Sequence, residues 1–172
     1  PEQFKDAKYS AERERSVGLG VMGFHSFLQK HKIPLESVMA KAWNKKIFKQ
    51  IDEQVNQASR DLADERGACP DAAEYGFKER FSNKTAVAPT ASISIICGGA
   101  SPGVEPIAAN SYTHKTLSGS FNVRNRYLEE ILETHGKNDD ETWSTITTNQ
   151  GSVSHLDFLT DLEKDVFKTA FE

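Results

Sequence analysis

The chain has 172 residues, with 21 Lys plus Arg against 25 Asp plus Glu, a formal charge of −4. That length holds one domain or a piece of a larger one, and the acidic balance argues against a nucleic-acid binder, whose phosphate partner demands concentrated positive charge. Hydrophobic residues make up 37%, no apolar run approaches the roughly 18 residues of a membrane span, and residues 1–16 are too polar for a signal peptide.

Residues 1–15 read as irregular or loosely helical. Val17, Val21, Phe24, Phe27 and Leu28 recur at helical spacing and predict a helix that stops near Lys32, because Ile33 precedes Pro34. A longer helix is predicted over 37–66 from the spacing of Trp43, Ile47, Ile51, Val55, Ala58 and Leu62, with Gly67 as its C-terminal cap. Residues 68–84 read as loop, and 85–88 as a short buried strand interrupted by Pro89. TASISIIC (90–97) is ambiguous: its β-branched residues favour a strand, whereas Thr90 in a capping role favours a short helix. A turn-rich connector follows over 98–106. Residues 111–123 suggest extended chain with a bend at Ser118-Gly119. Helices are predicted over 125–135, ending at Gly136, and from a cap at Asp139 or Asp140 to just before Gly151. Thr160 and Glu163 form a capping-box pattern for a last helix, whose apolar period through Leu162, Val166, Phe167, Ala170 and Phe171 runs to the chain's end. A chain that begins without Met and stops inside such a period reads as a piece cut at both ends.

Gly18, Gly20 and Gly23 match G-x-G-x-x-G, the tight turn of a dinucleotide fold. The context fails, since residues 9–16 are no buried strand and no acidic residue closes a second strand about 20 residues later. Close backbone packing at a helix start is expected instead. His25, His31, His114, His135 and His155 stand in no metal-binding spacing, so hydrogen-bonded or surface histidines and no metal are expected. Cys69 and Cys97 are too few for a disulfide framework or a zinc site, and a reducing, cytoplasmic compartment is the plain reading. Neither has a nucleophile's signature, and Cys97, after two isoleucines, reads as a small core residue. Pro89-Thr90-Ala91-Ser92 combines hydroxyls with a small residue. If Thr90 starts a helix, the unpaired N–H groups behind it can hold a phosphate.

PTAS (89–92), SPGVEP (101–106), NSYT (110–113) and LSGSFNVRN (117–125) together resemble the catalytic large subunit of class I ribonucleotide reductase. RSVGLGVMGF (15–24) and the helix-like 44–67 resemble the segments that precede these motifs in that family, in the same order. The resemblance implies an α/β fold, a helix-rich portion of a ten-stranded α/β barrel, with residues 1–172 in its second half. It also implies that Pro89, Thr90, Ala91, Ser92 and Ile93 hold the diphosphate of a ribonucleoside diphosphate substrate, largely through backbone N–H groups. The family's radical cysteine with its flanking Asn and Glu, its redox cysteine pair and its radical-relay tyrosines are expected outside this chain. Cys69 and Cys97 therefore inherit no such role.

The implied activity is radical-based reduction of ribonucleotides to deoxyribonucleotides. No cofactor would be bound by the chain itself: the radical would come from a partner subunit and the electrons from a thiol reductant. The expected partners are the remaining large-subunit segments and a small radical-generating subunit, with no nucleic acid and no membrane. A catalytically silent assembly or nucleotide-binding module derived from the same barrel is the alternative, and a dinucleotide-dependent oxidoreductase built on GLGVMG is a third reading.

Overall fold

A computed structural model describes residues 2–117 and 119–172. The chain divides into two compact units, one of residues 1–20 and 42–88 and the other of 21–41 and 89–172.

In the first unit, α1 (Lys5–Glu14) is a mostly exposed helix. Arg13, in its last turn, pairs with Asp71 and Glu74 of α4 (Pro70–Glu74), a short helix inside what reads as loop. The chain then runs extended rather than helical. Val17 N donates to Asn83 O (3.0 Å), Leu19 N to Lys84 O (3.0 Å), and Ala86 N to Leu19 O (3.1 Å). This short parallel pairing, centred on Leu19 and Thr85, explains why the helical spacing of Val17 and Val21 misleads. A Cβ on Gly20 would lie 2.5 Å from Ala86 O, so only glycine lets the two backbones approach this closely. The glycine motif is thus close backbone packing, but Gly18 and Gly20 pack in this extended pairing rather than at the helix start expected, where only Gly23 stands. Residues 85–88 are exposed rather than buried and form no strand beyond the Thr85 bridge.

The predicted long helix is α3 (Val38–Arg66), ended by Gly67 at φ 82°. Arg80 covers its last carbonyl and the one after it, donating to Arg66 O (2.9 Å) and Gly67 O (3.1 Å), where the helix dipole favours a cation. Ser59 fastens the following loop to α3 by accepting from Arg80 N at 3.0 Å.

In the second unit, α2 (Phe24–Lys30) starts seven residues later than the pattern from Val17 suggests, with Gly23 at its N-cap. β1 (Ser111–Thr116) and β2 (Gly119–Arg124) form an antiparallel hairpin pairing Ser111 with Arg124 and Thr116 with Gly119. The bend expected at Ser118-Gly119 fits this hairpin, although Ser118 itself lies outside the described residues. α6 (Arg126–Thr134), α7 (Asp140–Thr148) and α8 (Asp161–Val166) follow. Their starts are capped by Asn125, which accepts from Tyr127 N, by Asp139 from Thr142 N, and by Thr160 from Glu163 N. The Thr160–Glu163 capping box forms as its pattern predicts, but α8 stops at Val166 instead of running on to Phe171. Phe171 is 84% exposed, so its apolar spacing finds no surface to hold another turn.

The core of this unit gathers Leu128, Ile131, Leu132, Trp143, Ile146, Val153, Leu156, Leu159, Val166 and Phe167. Each such side chain contributes about 1.5–3 kcal/mol on burial. A polar seam accompanies it. Asn125 Nδ2 donates to Asn110 Oδ1 (2.8 Å) and to Gln29 Oε1 (3.0 Å), while Asn110 Nδ2 donates to Phe167 O (2.7 Å) and Gly151 O (3.0 Å). Asn110 is 1% exposed, and a buried amide left without partners costs about 1–3 kcal/mol. Asn110 of NSYT and Asn125 of LSGSFNVRN are therefore structural partners of one another.

The cysteine expectation is reversed by the structure. Cys97 is exposed at the end of the helix that follows Thr90, and Cys69 is fully buried, with Sγ 3.5 Å from Ser82 Oγ. The apolar neighbours of Cys97 misled, because Ile95 and Ile96 are themselves exposed.

Candidate functional site

The ambiguity of residues 90–97 resolves as helix. α5 (Ala91–Ile96) begins directly after Thr90, and its first internal hydrogen bond runs from Ser94 N to Thr90 O at 2.8 Å. The N–H groups of Ala91, Ser92 and Ile93 precede that bond and have no acceptor within the helix. Pro89, Ala91, Ser92 and Ile93 are exposed and Thr90 is half-buried. Five consecutive residues thus present one accessible helix start, with three N–H groups and the Ser92 hydroxyl.

Thr90 does not cap this helix as its position suggests. Its backbone lies at φ 50°, ψ 25°, and its side chain makes no capping bond. Instead Thr90 Oγ1 accepts from Gly103 N at 2.8 Å. A β-branched residue in the left-handed region is a true outlier, costing about 1–3 kcal/mol unless its surroundings enforce it. Gly103 is itself at φ 47°, which strains any residue with a Cβ, and the Glu105 carboxylate folds against it.

The connector between α5 and Gly103 is held at both ends. Gly99 N and Ala100 N donate to Ser94 O at 3.0 and 3.1 Å, and the Arg126 guanidinium donates to Gly98 O. Further on, Ser101 and Ser26 bond reciprocally: Ser26 N donates to Ser101 Oγ (3.0 Å) and Ser101 N to Ser26 Oγ (2.8 Å). Gly23 N donates to Ser101 O at 2.8 Å. Both serines are buried, so these bonds are shielded from competing water.

Beside α5 lies a cavity of about 440 Å³, with Ser26, Gln29, Ala91, Ser94, Asn110 and Arg124 among its walls. The amides of Gln29 and Asn110 are committed to the seam already described, and Arg124 pairs with Asp140 at 2.8 Å. His25 is 1% exposed and its Nδ1 accepts at 3.1 Å from the N–H of Ile107, another residue of the cavity wall. Burial pushes its imidazole down to about 4, so it is neutral near pH 7.

The structure brings all five sequence-identified residues to one helix start. Sequence reasoning missed what supports that start: Ser26, Ser101 and Gly103. Ser101 and Gly103 stood inside the SPGVEP motif, which was their signal, whereas nothing local marks Ser26.

The ribonucleotide reductase barrel-domain family model matches residues 2–79 and 70–172. The chain belongs to this family, and it is a mixed helix-and-strand portion of that barrel. Among individual proteins, it is 44% identical over 172 residues to the ribonucleoside-diphosphate reductase large subunit of Invertebrate iridescent virus 3, covering 98% of this chain and 27% of that protein. It is 47% identical over 176 residues to the large subunit of Invertebrate iridescent virus 6, covering 100% of this chain and 18% of the relative. A protein of Thermoplasma acidophilum named vitamin B12-dependent ribonucleoside-diphosphate reductase is 34% identical over 164 residues, covering 92% of this chain and 21% of its own length. The solved Actinobacillus ureae class Id ribonucleotide reductase alpha subunit superposes with a TM-score of 0.86 at 39% identity, over 96% of this chain and 30% of that one. The chain therefore spans less than a third of the length of these proteins. Among the described residues, no helix is long and apolar enough to cross a membrane.

Proposed function

We propose that this chain forms the second-half barrel segment of a ribonucleoside-diphosphate reductase large subunit and holds the diphosphate of the substrate at Pro89 to Ile93. The observation that carries this reading is the uncapped, exposed start of α5, whose Ala91, Ser92 and Ile93 N–H groups lack helical acceptors. Such groups bind phosphate oxygens through charge-assisted hydrogen bonds aided by the helix dipole. The small side chain of Ala91 lets the anion reach the backbone, and Pro89 limits the turn's freedom. The chain's part in reducing ribonucleotides to deoxyribonucleotides is then to fix the substrate relative to reacting groups elsewhere.

The names of the relatives support this substrate class. They differ in radical source, since some are named vitamin B12-dependent. The more similar large subunits carry no such qualifier, which supports a separate small radical-generating subunit as partner, with the remaining large-subunit segments and a thiol reductant completing the enzyme. A cytoplasmic location accords with this role and with the thiols of Cys69 and Cys97, which are free. A silent module derived from the same barrel is favoured by no particular observation.

The test is substrate titration of an assembled reductase containing this chain. Ala91→Asp sets a carboxylate against the phosphates and is expected to weaken nucleoside diphosphate binding by more than about tenfold. Affinity for nucleotides bound at other sites of the enzyme should be unchanged. Parent-like substrate affinity would make the turn a structural helix start only.

A further inference from the structure

Among the described residues, two threonines stand immediately before a helix, and they behave in opposite ways. Thr160 is extended, at φ −67° and ψ 157°, and its hydroxyl accepts from the third N–H of its helix, that of Glu163. Thr90 is left-handed, and its hydroxyl faces Gly103 instead. Were Thr90 to relax to the conformation of Thr160, its own hydroxyl would reach the corresponding third N–H, that of Ile93. The helix start would then be closed by its own cap.

Something must hold Thr90 away from this preferred state. Its partner, the Gly103 N–H, is fixed two residues beyond Ser101, and Ser101 is clamped to the start of α2 by three hydrogen bonds, two to Ser26 and one from Gly23 N. Ser101 is fully buried, and neither serine belongs to the exposed turn.

We propose that the buried Ser26–Ser101 pair is a positioning element. Acting through the Gly103 N–H on Thr90 Oγ1, it keeps Thr90 left-handed and so keeps the Ala91, Ser92 and Ile93 N–H groups open for phosphate. This rests on the diphosphate reading above. It adds that the open state of the turn is imposed from α2.

The test uses an assembled reductase containing this chain, with inorganic pyrophosphate as probe, titrated calorimetrically beside the KM and kcat for a nucleoside diphosphate. Ser101→Ala is expected to raise both the pyrophosphate Kd and the KM by about tenfold, with kcat changed by less than about twofold. Ser26→Ala, which removes one bond of the pair, is expected to act in the same direction and serves if Ser101→Ala does not fold. Thr90→Gly removes the hydroxyl that could self-cap and is at ease in the left-handed region. In a Thr90→Gly background, Ser101→Ala should therefore add little to the pyrophosphate Kd. Ser101 and Thr90 share no direct bond, so such non-additivity identifies coupling through the turn.

Pyrophosphate affinity in Ser101→Ala and Ser26→Ala equal to the parent's would overturn the proposal. So would a Ser101→Ala effect of the same size with and without Thr90→Gly. Failure of the diphosphate reading is separate: Ala91→Asp would then leave pyrophosphate binding unchanged.

Discussion

His25 shows how one side chain ties stability to pH. Its Nδ1 accepts from Ile107 N, so the ring must carry its proton on Nε2 and remain neutral. Burial lowers the folded-state value to about 4 from an ordinary 6.5. Between those pH values the unfolded chain binds the proton and the folded chain does not. The contribution of His25 is thus complete above pH 6.5 and is lost as pH falls toward 4, amounting to about 3 kcal/mol at most. Denaturant unfolding at pH 7 and pH 5 should show lower stability at pH 5. His25→Asn, whose amide oxygen can replace Nδ1 as acceptor, should flatten that difference. Equal pH dependence in both proteins would show that the ring does not titrate as its burial requires. Carboxylates contribute in the same direction but over a lower range. Burial raises the Glu163 carboxyl, yet hydrogen bonds from Thr160 and His135 outweigh it and hold it below its ordinary value.

At the level of elements, the pairing of residues 17–19 with 83–86 depends on backbone approach. Gly20→Val would force a branched side chain against Ala86 O, where even a Cβ comes to 2.5 Å. The expected outcome is loss of the Leu19–Thr85 bridge and destabilisation of the first unit by about 1–3 kcal/mol, read as faster amide exchange at Leu19 and Ala86. Unchanged exchange there would mean that the two segments have room to spare. Helices α3, α6 and α7 and the start of α8 were the legible part of this fold. Their signals lie within a few residues: the three-to-four spacing of α3, an aspartate cap at 139 or 140 for α7, and the Thr160–Glu163 box. The extended stretch at 17–19 was misread because its partner lies more than 60 positions away, and an apolar spacing carries no mark of that pairing. Cys97 was misplaced for a related reason, since the exposure of Ile95 and Ile96 is decided by packing rather than by sequence. In the site, PTAS located the helix start. The left-handed Thr90 was not legible, because it arises from Gly103 and Ser101 rather than from its neighbours.

For the molecule as a whole, the two units are unequally consolidated. The second holds a ten-residue buried cluster. Among the described residues of the first, only Ser59, Ala63 and Cys69 are buried, and none is large. Apolar burial is the dominant stabilising term, so the first unit should open more readily. Hydrogen exchange followed by mass spectrometry is expected to show the slowest amides in α6 and α7, and exchange orders of magnitude faster in α1 and at residues 17–19. Equal protection across both units would mean that the first draws its stability from something other than its own interior.

Apart from the Ser92 hydroxyl, the donors at the start of α5 belong to the main chain. An N–H donor is supplied whatever side chain its residue carries, as the apolar Ile93 illustrates. Alanine scanning, which edits side chains alone, is blind to such a donor. Replacing the peptide link before Ile93 by an ester would delete one N–H and leave the residue intact. What such a turn offers a ligand is a backbone shape, and the letters at 91–93 record it only indirectly.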